Sequence, residues 1–67
     1  MFDTSWRELA DTILTAHTAK DYKQILKANA ELGRMGTEAH VNAWEYKRDK
    51  TGYSLVARAV LEAVQSC

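Results

Sequence analysis

The imidazoles of His17 and His40 and the thiol of Cys67 are the side chains in this chain best suited to grip a soft metal or to act as nucleophile and base. Their spacing matches no zinc pattern, because such sites place ligand pairs a few residues apart. A nucleophilic site needs a base beside the nucleophile and a third group to orient it. One terminal cysteine and two scattered histidines do not supply that set. The only glycines are Gly33, Gly36 and Gly52, so no glycine-rich phosphate cradle is present either. The residues therefore argue against an enzyme, and neither a metal nor a cofactor is expected.

Two other groups of residues have chemistry suited to binding. Lys20, Lys23, Lys27 and Arg34 recur at helical intervals and fall in a narrow strip beside an apolar face. Such a row could meet phosphates or an acidic protein surface, although lysines beside an apolar stripe also simply extend into solvent. Trp44 and Tyr46, with Leu55 and Leu61 further on, are large apolar anchors of the kind that dominate protein interfaces.

The elements that must position these groups read as helices. The chain has no proline and ten alanines, and its glycines divide it into helical blocks. Ser5 followed by Glu8 reads as a capping box, and Trp6, Leu9, Ala10, Ile13, Leu14 and Ala16 share one face up to His17. His17 then sits where a protonated ring complements the helix dipole. Thr18 reads as the cap of a second helix, with Asp21 in its third position. Its apolar face of Tyr22, Ile25, Leu26 and Leu32 runs to Gly33. So short a link predicts a helical hairpin. Asn29 lies within that face, where a buried amide can fix helix register by pairing with its counterpart, or satisfy a local carbonyl or water.

Thr37 reads as the next cap, for a helix over 38–49 with two opposed apolar stripes. Val41 and Trp44 form one, with the Arg48 stem beside them. Ala39, Ala43 and Tyr46 form the other, and charged and polar residues fill the sides between. One stripe can pack at home while the other meets a partner, or the helix can be sandwiched inside the bundle. Ser54 reads as the cap of a last helix that is apolar around well over half its circumference. Leu55, Val56, Ala59, Val60, Ala63 and Val64 form a broad arc with Leu61 beyond one edge. Arg58, Glu62, Gln65 and Ser66 mark the wet strip. A competing reading pairs 41–46 with 53–57 as a β-hairpin around Asp49-Lys50-Thr51-Gly52.

Gly33, Val41 and the Trp44-Glu45 pair resemble the spacing of helix-turn-helix repressor domains, which would imply DNA binding through the third helix. The sequence departs from that pattern in the length of its turn, 33–37, and of its second helix. The positions that would read base edges are Thr37, Glu38, His40 and Val41, without Arg or Gln. Lys47, Arg48 and Lys50 come at the other end.

Nine basic and nine acidic residues among 67 cancel, so strong non-specific nucleic-acid binding is not the default. A hydrophobic content of 46% is globular. Met1-Phe2-Asp3-Thr4-Ser5-Trp6 carries neither the basic nor the apolar region of a signal peptide, and no apolar run approaches a membrane span. The expectation is one all-α domain over 1–67, a bundle of about four short helices made of an N-terminal hairpin and a C-terminal helix pair. It is expected to be cytoplasmic and away from membranes, and to form a homodimer. It is expected to act as a small regulator or inhibitor, including one from a virus or mobile element, that binds a protein through its C-terminal helices. DNA binding is the alternative.

Overall fold

A computed structural model describes residues 5–66, with side chains from Trp6 onward. The chain forms four helices, α1 (Ser5–Thr18), α2 (Tyr22–Met35), α3 (Thr37–Glu45) and α4 (Leu55–Ser66), and among the described residues no strand. This is the all-α bundle that the helical periodicity predicts. The Ser5 side chain, on which the expected capping box rests, and Cys67 lie outside what is described.

In α1, Ala10, Ile13 and Ala16 recur every three residues and are buried, with Trp6, Leu9 and Leu14 packed around them. The helix ends one residue beyond His17, and Thr18 does not cap α2. Its hydroxyl instead donates back to the Leu14 carbonyl at 3.2 Å. The link closes with Lys20 N–H donating to His17 O at 3.0 Å and Asp21 N–H donating to Ala16 O at 2.8 Å, around Lys20 at φ 58°. Those two bonds satisfy the free carbonyls of the last turn in the Schellman pattern. Asp21 then takes the capping role expected of Thr18, its carboxylate accepting Gln24 N–H at 3.3 Å.

The hub is α2, which touches all three other helices and packs most extensively on α1. Ile25, Ala28 and Leu32 at i, i+3 and i+7 form its buried face. The helix does not stop at Gly33. It runs on to Met35 because an isolated glycine weakens a helix without breaking it. Gly36 ends it, at φ 113° and ψ 170°, a conformation open to a residue without Cβ. Gly36 is also the residue that precedes α3, so one residue joins the two helices. Thr37 is the first residue of α3 rather than its cap, and no side chain caps that end.

The α3 helix ends at Glu45, four residues short of the expected Asp49, because backbone groups beyond it are engaged across a turn. Lys47 O accepts from Leu55 N–H at 3.1 Å, Asp49 N–H donates to Tyr53 O at 3.0 Å, and Gly52 N–H donates to Asp49 O at 3.0 Å. The β-hairpin alternative is therefore right about the turn and wrong about its flanks. One isolated antiparallel bridge, Arg48 with Ser54, forms between two helices.

Ser54 caps α4 as its position predicts, its buried Oγ accepting Ala57 N–H at 3.1 Å. The buried face of α4 is Val56, Ala57, Ala59, Val60 and Ala63. Three of these five are alanines, small enough to permit close packing, and the most extensive packing of α4 is on α2. The two C-terminal helices touch one another least of all helix pairs. Among the described residues no buried side-chain polar atom lacks a hydrogen-bond partner.

Candidate interaction surface

The two stripes of α3 part company in the fold. Ala43 is sealed in the core, Ala39 is half-buried, and Tyr46 packs against the cluster from the end of the helix. On the other side, Val41 is 50% and Trp44 36% exposed. The inward stripe thus packs two alanines and Tyr46 against the bundle, and the outward stripe carries the indole.

Trp44 is held rather than loose. The His40 ring meets it edge-on, with centroids 5.2 Å apart and planes at 81°. His40 is braced in turn by Asn29 of α2, whose side-chain amide lies 2.9 Å from Nε2. Asn29 therefore pairs with a histidine of its own chain and fixes α3 against α2. Thr37, His40, Val41 and Trp44 line a shallow groove of about 230 Å³. A rigid aromatic beside an apolar hollow loses little entropy on docking, a property of interface hot spots.

The other anchors divide between interior and surface. Tyr46 faces Trp6 edge-on at 5.8 Å, with Arg7 and Lys47 over its ring at 5.6 and 5.5 Å, so it ties α3 to α1. Leu55 is half-buried. Leu61 is 50% exposed, and Val64, one turn further along α4, is 56% exposed. Tyr53 is the remaining large exposed hydrophobic among the described residues, with the Arg58 guanidinium 5.3 Å over its ring. Val41, Val64 and Tyr53 were not among the predicted anchors. The broad apolar arc of the last helix and the two stripes of the third were the signals that could have found Val64 and Val41; Tyr53 lies in the turn before α4, outside both patterns.

The strip of Lys20, Lys23, Lys27 and Arg34 is exposed throughout. The predicted wet strip of α4 contains an exception, Glu62. Its carboxylate lies 2.7 Å from His17 Nε2 and accepts from the Tyr22 hydroxyl at 3.2 Å, fastening α4 to both ends of the hairpin link. His17 and then Tyr22, outweighing partial burial, hold the Glu62 carboxyl below its ordinary value of 4.5. His17 thus has a carboxylate partner as well as a helix terminus.

Asp49 organises the turn before α4. One carboxylate oxygen accepts from Thr51 Oγ1 at 2.6 Å, Thr51 N–H at 2.9 Å and Tyr53 N–H at 3.0 Å, and the other from Arg58 at 2.7 Å. The Thr51 hydroxyl first, then the two amides and Arg58, hold this carboxyl below its ordinary 3.8. A second hollow, of about 430 Å³, lies at the junction of α1 and α2 between Asp11 and Asp21. No three His, Cys, Asp or Glu side chains converge as a metal site among the described residues. No described helix is long and apolar enough to cross a membrane. Comparisons with family models, with curated proteins and with solved structures find no match to this chain.

Proposed function

We propose that the protein works by binding another protein, as a regulator or inhibitor, with the outward face of α3 as the principal contact. The observation that carries this reading is Trp44, exposed on the side of α3 opposite the core yet held by His40 and Asn29. An exposed indole in a fixed orientation beside a hollow suits a partner's apolar side chain. Leu61 and Val64 on α4 form a second, smaller apolar patch, suited to the rim of the same complex or to self-association. The mechanism is steric: the docked bundle covers or recruits a surface of its partner.

Sequence reading of DNA by α3 is the weaker alternative. A single residue joins α2 to α3, and the exposed positions of α3 include Glu38 and Glu45, whose charge opposes a phosphate backbone.

The test compares affinity capture by the native protein with capture by the Val41→Ser/Trp44→Ala double variant. Melting by circular dichroism checks that both fold. A protein retained stoichiometrically by the native chain and lost from the folded double variant supports the reading. Identical capture by both, together with a monomer at every concentration in sedimentation, overturns it.

A further inference from the structure

Most basic side chains of the second half, and Arg7 of the first, are engaged within the molecule. Arg7 lies over Trp6 and Tyr46, and Lys47 over Tyr46. Arg48 pairs with Glu45 at 3.2 Å, and Arg58 with Asp49 at 2.7 Å. Lys20, Lys23, Lys27 and Arg34 differ from these: among the described residues none has a carboxylate within 4.0 Å, and all four are exposed. Three of them share one line on α2. At about 100° and 1.5 Å per residue, Lys23, Lys27 and Arg34 fall within roughly 40° of one another over about 16 Å of helix. They run along the back of α2, opposite the buried Ile25, Ala28 and Leu32. Lys20, in the left-handed corner of the link, is a fourth exposed cation close in sequence to the start of α2, and its charge also acts on Glu62.

We propose that this row binds the phosphate backbone of duplex nucleic acid, without reading its sequence. The strip's own composition separates a duplex from an acidic protein. Protein partners anchor on apolar or aromatic residues that exclude water around the charges, and between these cations the strip offers only Ala30, Gln24 and Glu31. It has no aromatic on which an unpaired base could stack. A straight line of donors on one helix face matches repeated phosphates and carries no base-edge information. Glu31, between Lys27 and Arg34, limits the strength, so three to four phosphate contacts are the expected number. The row is independent of the Trp44 face, which lies on a different helix.

The test is fluorescence anisotropy of a labelled, mixed-sequence 20-base-pair duplex, as DNA and as RNA, titrated with the native protein. With three to four contacts, affinity should fall about 40- to 150-fold between 50 and 200 mM monovalent salt. The Lys20→Gln/Lys23→Gln/Lys27→Gln/Arg34→Gln variant should lose binding at 50 mM salt while melting as a folded helical protein. Lys50→Gln, an exposed lysine off the row, should bind within twofold of native. Absence of binding at 50 mM salt, or binding that survives the quadruple substitution, overturns the proposal. Row-dependent binding of poly-glutamate or of anionic phospholipid vesicles as tight as that of the duplex also overturns it, because the row would then be selecting charge alone.

Discussion

In the hairpin of α1 and α2, Ile13, Ile25 and Leu32 are sealed from solvent, and they are three of the four largest fully buried side chains among the described residues. In the half that follows Gly36, the buried residues are mostly small: Ala43, Ala57, Ala59 and Ala63, with Val56 and Val60. That half also carries all five large exposed hydrophobics among the described residues: Val41, Trp44, Tyr53, Leu61 and Val64. The hairpin uses bulk to build the core, and the second half uses small residues to approach it while turning its bulk outward. A chain this short has few large apolar side chains with which to stabilise its fold. Leaving five outside is a cost that partner binding would offset.

Four measurements break or sharpen this contrast, in descending order of effect. Ile25→Ala should lower unfolding free energy in urea by about 2–5 kcal/mol, the range for emptying a core site. Leu61→Ala and Val64→Ala should each stay within about 0.5 kcal/mol of native, as exposed positions do; equal losses at all three would erase the distinction. Ala59→Leu should cost about 1–3 kcal/mol by forcing α4 away from its neighbours. A neutral result in the same urea series would mean the alanine contact is not close.

The third measurement concerns acid. Asp49 and Glu62 both have carboxyls held below their ordinary values in the folded protein. The stability they contribute is complete above the unfolded values, 3.8 and 4.5, and is lost as pH falls through the lower folded ones. Both groups bear on the second half, so acid should loosen α4 before the hairpin. Melting curves of Glu62→Gln and Asp49→Asn should show less loss between pH 6 and pH 3 than native. An unchanged acid slope would assign that loss elsewhere.

The smallest effects lie in the hairpin and are gains. A methyl at Gly33 meets nothing within 4 Å, so Gly33→Ala should add up to about 1 kcal/mol. Lys20→Gly should add about 0.5–1 kcal/mol by relieving its φ of 58°. Thermal melting of both variants would show whether the hairpin holds unused stability.

Much of this was legible in residue order, and the misses share a cause. Periodicity finds the helices because apolar residues three and four apart must share a face. Ser54 is recognisable as a cap because a short hydroxyl directly precedes an apolar run. Capping fails as a guide between His17 and Tyr22, where Thr18 and Asp21 are both competent. The two link bonds decide between them, since they place Asp21 at the start of α2. Gly33 and Gly36 are indistinguishable as letters, and only the positive φ of the second makes it the breaker. The end of α3 depends on Asp49 gathering donors from Thr51 and Tyr53, a pattern that a period-based count does not register. Glu62 reads as solvated because its partners His17 and Tyr22 are remote in sequence. Trp44 and Leu61 stand out in the sequence by type, and both are exposed in the fold. That Tyr46 would be used at home required knowing that Trp6 faces it.

The Glu62 fastening also sets an order of events during synthesis. Its partners His17 and Tyr22 precede it by 45 and 40 residues. At roughly 5–20 residues per second, the ribosome delivers Glu62 roughly two to nine seconds after them. Helix formation takes about a microsecond or less, so α1 and α2 have ample time to pair before α4 exists to cover them. Until Glu62 arrives, the hairpin lacks the carboxylate that ties α4 to both ends of its link, so the two halves of the bundle are joined in the order in which they are made.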